Sequence, residues 1–273
     1  MTLALNGTLV LVGAGKMGGA MLEGWLKSGA DPKKISVLDP FAADDVKALL
    51  AKHKVRLNPA IASIKNAEVV LIAVKPQMME EVLPTVVGLG SSKPLILSVA
   101  AGKTIASFER HFGKSAAIIR TIPNTPASIG RGITAMSANA NVSAAQLKLA
   151  TQLLSAIGEV VTVDREELID SVTAVSGSGP AYVFYMTECL AAAAEKVGLP
   201  PALAMQLARA TVAGSGELMR LTGTDAATLR QNVTSPKGTT HAALQVLMAD
   251  DGLRPLFEKA VKAAADRSRE LAS

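Results

Sequence analysis

Residues 69–74, Val-Val-Leu-Ile-Ala-Val, offer no polar face, and a strand of that composition is stable only in a sheet covered on both sides. Four more runs are similar in kind: Thr8 to Val12, Ile35 to Asp39, Leu95 to Val99 and Ala116 to Arg120. Segments long enough for crossover helices lie between them. Alternation of this kind predicts an α/β fold, a doubly wound parallel sheet with helices on both faces.

Near Ser143 the rhythm changes. Ser143-Ala-Ala-Gln146 has the form of a capping box opening a helix through Ile157, and a short strand is expected at Val160 to Val163. Asp164-Arg-Glu-Glu167 resembles a second such box. Beyond it only helices are expected: Pro180 to Val197, Pro201 to Leu221, the start at Gly238-Thr-Thr running through Met248, and Arg254 to Leu271. The chain therefore divides into a sheet domain, 1–163, and an all-helical domain, 164–273, without a Pro/Gly/Ser-rich linker. With 273 residues it can bury a substantial core without staples. Its one cysteine, Cys189, lies in an apolar helical run and reads as a small core residue in a reducing compartment. Net charge is +5, but Lys and Arg are scattered and aromatics make up only 3 %, which argues against nucleic acid and for small anions. Met1 to Asn6 has no basic segment ahead of an apolar one, and every hydrophobic run is broken well short of a membrane span. A cytoplasmic protein is expected.

Leu9-Val-Leu-Val-Gly13-Ala14-Gly15-Lys16-Met17-Gly18 places a glycine triplet between a strand and an amphipathic helix, Met17 to Lys27. That context predicts a Rossmann-type dinucleotide site, with Gly13 for the tight turn, Gly15 for approach of a pyrophosphate and Gly18 for helix–strand packing. Asp39, at the end of the next strand, is either the acceptor for the adenosine ribose hydroxyls or a cap for the helix that follows. As a ribose acceptor it favours NADH over NADPH, since a 2′-phosphate would meet its charge and Pro40-Phe41 brings no cation.

Ala73-Val74-Lys75-Pro76 and Ala100-Ala101-Gly102 follow further strands, on the sheet edge where ligands bind. Lys75 is a cofactor-orienting or carboxylate-attracting group, or an exposed loop lysine. The Thr121–Pro126 segment, containing Asn124, is a cofactor-side loop or a structural turn. Ser176-Gly-Ser178-Gly179-Pro180-Ala-Tyr182 breaks an alanine-rich helical half with two small hydroxyls and two glycines, as a site or as a helix–helix turn. In Ser235-Pro-Lys-Gly238-Thr239-Thr240, Ser235 can cap and the backbone N–H groups suit a small carboxylate, although an ordinary Ser-Pro helix start is the alternative. His53, His111 and His241 have no partners at metal-ligand spacing, and no metal site is expected.

Taken in order, Ala73-Val-Lys-Pro76, Ser98-Val-Ala-Ala-Gly102, Pro123-Asn-Thr-Pro126, Val175-Ser-Gly-Ser-Gly-Pro-Ala-Tyr-Val183 and Val233-Thr-Ser-Pro-Lys-Gly-Thr-Thr240 make the chain resemble the pyrroline-5-carboxylate reductase family, from the glycine loop to the final helix. The resemblance implies a Rossmann domain, a helical domain that interlocks with a second subunit, and homodimers that assemble further into rings such as a decamer. It implies hydride transfer from NADH or NADPH to the C=N bond of 1-pyrroline-5-carboxylate, giving L-proline. It also implies carboxylate contacts at Ser235, Gly238, Thr239 and Thr240, a wall at Ser178, Gly179 and Pro180, and a hydroxyl near the imine nitrogen at Thr173. Lys237 departs from the family, which more often has glycine there, and Thr224 to Thr228 lacks the family's usual His-Pro pair. Two other functions share the fold. A β-hydroxyacid-type dehydrogenase would need a lysine in the helical half, where Lys196 and Lys237 are the candidates; a non-catalytic dinucleotide-binding regulator would not need a second anion site.

Overall fold

The computed structural model describes residues 3–272. Its sheet has eight strands in the order β3-β2-β1-β4-β5-β6-β7-β8. These are β1 (Thr8–Val12), β2 (Ile35–Leu38), β3 (Arg56–Leu57), β4 (Ala67–Ile72), β5 (Leu95–Ser98), β6 (Ile118–Ile122), β7 (Gly132–Ala138) and β8 (Gly158–Thr162). All neighbours are parallel except β6 and β7. The first six strands thus have Rossmann order, extended by two strands beyond β6.

The double-sided covering demanded by the apolar strands is met residue by residue. Leu9 and Leu11 of β1, with Val69 and Leu71 of β4, pack on one face with Met21, Leu22 and Trp25 of α1 (Lys16–Lys27) and Leu153 of α5 (Ala144–Leu154). Val10, Val12, Val70 and Ile72 point the other way, onto Met79 and Leu83 of α3 (Met79–Val86) and Phe108 of α4 (Ile105–Phe112). The remaining sheet-side helix, α2 (Asp44–His53), follows β2. The fully buried Trp25 ring also spends its indole N–H on the Leu153 carbonyl at 2.9 Å, tying α1 to α5.

The capping box at Ser143 forms as expected, with Gln146 N–H donating to Ser143 Oγ and Ser143 N–H to Gln146 Oε1. The one expected at Asp164–Glu167 does not. The next helix, α6 (Leu168–Val172), starts one residue after Glu167 and has no side-chain cap. Glu166 is drawn elsewhere, as described below.

Two compact units account for the chain, one comprising residues up to Gly177 together with those from Ala265 onward, the other Ser178–Ala264. This division differs from one at 163/164 because residues 164–177 are held by the sheet: Ile169 packs with Ile122 and Ala135 in a small apolar cluster. The second unit contains α7 (Gly179–Lys196), α8 (Pro201–Thr222), α9 (Ala226–Asn232), α10 (Thr239–Leu247) and most of α11 (Leu253–Ala272). Cys189 is exposed on α7, not a core residue, and much of α7 is apolar and uncovered, including Phe184, Tyr185 and Met186. Among the described residues no helix is long and apolar enough to cross a membrane.

Candidate active site

In the first unit the loops leaving β1, β2, β4, β5 and β6 all emerge at the carboxyl edge, on either side of the β1–β4 junction where the connections change direction. Their bases are fixed by backbone bonds from Gly13 N–H to Leu38 O (2.9 Å), Ala73 N–H to Val12 O (2.8 Å) and Val99 N–H to Ile72 O (3.0 Å). A cavity of about 640 Å³ lies here, and Gly13, Gly15, Asp39, Asn58, Ala73 and Lys75 are among its lining.

The glycine triplet behaves as three different constraints. Gly13 has φ +89°, a conformation costly for any residue with a Cβ. A Cβ on Gly18 would stand 2.2 Å from Gly13 O, so helix and turn could not pack. Around Gly15 a Cβ would meet nothing within 4 Å. That open space faces the start of α1, where Gly15 is the N-cap, no side chain caps the helix and no acid stands in the first turn. Uncapped N–H groups and empty room are what an anion such as a pyrophosphate requires. Lys16 is exposed beside them, Met17 packs partly on the core and Ala14 is buried.

Asp39 is not a helix cap: α2 starts at Asp44 with Ala43 as its N-cap. Its carboxylate accepts the Ala14 N–H at 2.7 Å and the Phe41 N–H at 2.9 Å. The Asp39 backbone is clamped in turn by Asn58, which accepts its N–H at 2.7 Å and donates to its carbonyl at 3.0 Å. Asn58 follows the two-residue strand β3, and sequence reasoning missed both.

Lys75 is exposed and opens the turn at Pro76–Met78. On the β5 loop, Ala100 N–H donates to Ser98 Oγ at 3.2 Å and Thr121 Oγ1 donates to Ser98 O at 2.8 Å. Gly102, at φ +70°, has a reason of its own for lacking a side chain, since a Cβ would lie 3.2 Å from the Leu271 carbonyl of α11. Asn124 donates from Nδ2 to Ser176 O at 3.1 Å and accepts the Ile133 N–H on Oδ1 at 2.9 Å.

The stretch expected to break the helical half holds the boundary between the two units, at Gly177/Ser178, and a new helix starts at Gly179. Residues Thr173–Gly177 form a π-helical turn continuing α6, and Ser178, still in the right-handed helical region, is the N-cap of α7. Such a widened turn is a frequent companion of functional sites. The Thr173 hydroxyl donates to Ile169 O at 2.7 Å, and Ser176 Oγ donates to Val172 O at 3.1 Å.

Within the second unit, Gly179 and Pro180 occupy the first turn of α7, and the Tyr182 ring meets Phe257 edge-on at 6.4 Å. Gly238, not Ser235, is the N-cap of α10; Ser235 instead closes a turn, its carbonyl accepting the Gly238 N–H at 3.0 Å. No side chain caps α10, so the N–H groups at Thr239 and Thr240 start a helix open to an anion. Lys237 sits at φ +60°, a left-handed conformation that glycine adopts freely and lysine only at a cost of about 1–2 kcal/mol.

Sequence reasoning also missed Arg120, whose side chain is 3 % exposed. It pairs with Glu166 at 3.0 Å and Asp170 at 3.5 Å. Glu166 also accepts the Ile105 N–H at the start of α4 (2.8 Å), and Asp170 accepts the buried Ser268 hydroxyl from α11 (2.7 Å). Together they fasten α4, β6, α6 and the last turns of α11 to one another. Among the described residues no group of three or more His, Cys, Asp or Glu side chains could hold a metal ion.

A family model described as pyrroline-5-carboxylate reductase dimerisation matches residues 166–271, and one described as NADP oxidoreductase, coenzyme F420-dependent, matches residues 8–102. A pyrroline-5-carboxylate reductase of Pseudomonas aeruginosa is 39 % identical, with 97 % of this chain and 96 % of that protein aligned. The chain belongs to the pyrroline-5-carboxylate reductase family. A solved pyrroline-5-carboxylate reductase from Coxiella burnetii superposes with a TM-score of 0.92 at 36 % identity, covering 98 % of this chain and 100 % of the other. The pyrroline carboxylate reductase of Plasmodium falciparum, solved with NADP bound, gives 0.81 at 27 % identity over 98 % and 99 % of the two chains. As a pyrroline-5-carboxylate reductase family member the chain is an NAD(P)-dependent oxidoreductase with a Rossmann sheet and a helical dimerisation region.

Proposed function

We propose that the chain transfers hydride from a reduced nicotinamide dinucleotide to the C=N carbon of 1-pyrroline-5-carboxylate, giving L-proline in the last step of proline biosynthesis. The observation that carries the cofactor half is the open space at Gly15 before an uncapped helix. The dinucleotide, when bound, supplies the hydride from nicotinamide C4. Gly13, Ala14, Gly15, Lys16, Met17 and Gly18 cradle its pyrophosphate, Asp39 receives the ribose, and the loops Ala73–Pro76 and Ala100–Gly102 line its further course. Gly238, Thr239 and Thr240, with Ser235 at the preceding turn, receive the substrate carboxylate on the free end of α10. Ser178, Gly179 and Pro180 let the backbone of α7 come close to the ring. Lys75 adds a positive charge that draws in both anions.

A cyclic imine takes its proton from solvent before it binds, so the chain needs no strong acid. Thr173 suits a protonated imine because its own proton is committed to Ile169 O, leaving lone pairs to accept from the ring N–H. Orientation of the two rings then supplies several kcal/mol towards the barrier. Thr173→Val removes the acceptor and is expected to lower kcat by about tenfold or more, the worth of a hydrogen bond to a charged group, with dinucleotide affinity unchanged. Stopped-flow turnover and a separate binding titration check both halves, and an unaltered kcat removes Thr173 from the mechanism.

NADH is the preferred cofactor in this reading. The carboxylate of Asp39 lines the cavity, Glu81 adds a second acid, and Lys75 is the one cation among the lining residues. Asp39→Asn keeps an acceptor for a backbone N–H but removes the charge. It should shift the NADPH-to-NADH ratio of kcat/KM upward by about tenfold, equivalent to ~1.4 kcal/mol. Equal or better kcat/KM with NADPH in the unaltered chain overturns the preference.

Self-association as a homodimer, and of dimers into a decameric ring, belongs to the same proposal, supported by the uncovered apolar residues of α7 and α8. A mass of one chain by light scattering would refute it. Action in the cytoplasm is in keeping with Cys189, a cysteine without a disulfide partner. The deciding assay is loss of NADH absorbance on addition of pyrroline-5-carboxylate, with proline as product. Absence of substrate-dependent oxidation at ample enzyme and cofactor ends this reading.

A further inference from the structure

The π-helical turn Thr173–Gly177 poses a backbone problem that the sequence itself creates. In a regular α-helix the Ser176 carbonyl would accept the N–H of residue 180, and residue 180 is proline. The proline ring also crowds the carbonyl four residues before it, which favours the wider turn seen here. The next N–H along, that of Ala181, is spent on Ser178 O at 3.0 Å. A donor reaches the Ser176 carbonyl from another element: Asn124 Nδ2, at 3.1 Å and 52 residues away in sequence. The same amide is oriented from behind, because its Oδ1 accepts the Ile133 N–H of β7 at 2.9 Å. The amide therefore has one orientation that satisfies both partners, nitrogen toward Ser176 and oxygen toward Ile133.

We propose that Asn124 is a positioning residue that supplies the hydrogen bond Pro180 withholds, and so fixes the widened turn bearing Thr173 and leading into Ser178-Gly179-Pro180. This assigns Asn124 a role through the protein and not through the dinucleotide. The proposal rests on the imine-reductase reading for its catalytic consequence, but the turn itself can be followed without turnover.

Asn124→Asp separates the two bonds. Its carboxylate still accepts from Ile133 N–H but cannot donate to Ser176 O. Native-state hydrogen exchange should show faster exchange at the amides of residues 173–179 by about tenfold or more, with the Ile133 amide still protected. In the imine reduction, kcat should fall about 10–100-fold through misplacement of the turn, while NADH affinity and the thermal midpoint hold. The double variant Asn124→Asp with Pro180→Ala returns an N–H to position 180, and exchange in the turn should slow toward that of the unaltered chain. If Asn124→Asp lowers the thermal midpoint broadly, this suppression by Pro180→Ala still decides the matter by exchange alone. Unaltered exchange at 173–179 in Asn124→Asp, or no suppression by Pro180→Ala, overturns the proposal. Failure of the imine-reductase reading looks different: no turnover in the unaltered chain, whatever the exchange pattern.

Discussion

Replacing Gly15 by valine is expected to abolish dinucleotide binding while leaving the fold intact. Gly15 has φ −67° and ψ −161°, which a residue with a Cβ can adopt, and the space its side chain would enter holds no protein atom within 4 Å. The valine methyls would instead occupy the room before the first N–H groups of α1, where the pyrophosphate belongs. Loss of those contacts is worth about 3 kcal/mol or more, so the dissociation constant for NADH should rise at least ~100-fold. Calorimetric titration measures the affinity, and the unfolding midpoint in urea should stay where it was. A lowered midpoint would mean that Gly15 is a folding residue like its neighbours Gly13 and Gly18. Unchanged affinity would move the dinucleotide away from this loop altogether.

The second large effect concerns stability. Arg120→Met leaves Glu166 and Asp170 without their cation, and Asp170 is itself 7 % exposed. Breaking a buried pair by removing one partner typically costs about 3–5 kcal/mol, because an uncompensated charge stays behind. Urea unfolding should show that loss. Adding Asp170→Asn to Arg120→Met should recover part of it, since the amide can still accept the Ser268 hydroxyl but carries no charge. A loss below about 1 kcal/mol for Arg120→Met would show that water or a shifted lysine satisfies the carboxylates.

What the amino acids disclose about this fold follows from where its physics is local. The apolar strands β1, β2, β4 and β5, the helices between them and the glycine turn are written in consecutive residues, so periodicity and turn chemistry suffice. Strand β6 was displaced, lying at Ile118–Ile122 where Ala116 to Arg120 was expected, because flanking alanines do not mark an end. Two strands were invisible. β3 has only Arg56 and Leu57, and β7, Gly-Ile-Thr-Ala-Met-Ser-Ala, has few residues of high strand propensity and is held by antiparallel pairing to β6.

The site divides in the same way. Gly13, Gly15, Gly18 and Asp39 are proposed from spacing alone, and Thr173 and the Gly238-Thr239-Thr240 start from the resemblance to the family. The ties that hold them could not be found so. Asn58 on Asp39, Asn124 on Ser176, and Arg120 on Glu166 and Asp170 join residues 19, 52, 46 and 50 positions apart, and no local pattern marks such partners. The polar stretch at Ser176–Tyr182 illustrates the limit. Its composition reads as a break, and a new helix does start at Gly179, but the widened turn before it, with its Ser176 carbonyl met by a distant amide, leaves no local mark.

The last turns of α11 carry an implication for biogenesis. Ser268 reaches Asp170, and Leu271 lies against Gly102, so the sheet unit is closed by residues that leave the ribosome after all of Ser178–Ala264. Domains ordinarily fold in the order in which they are made. Here the first unit can build its strands early but obtains its final hydrogen bond from Ser268 only after the helical unit has been synthesised. A nascent chain arrested before residue 265 should accordingly hold its sheet unit in a looser state, more open to protease than the same residues in the full chain.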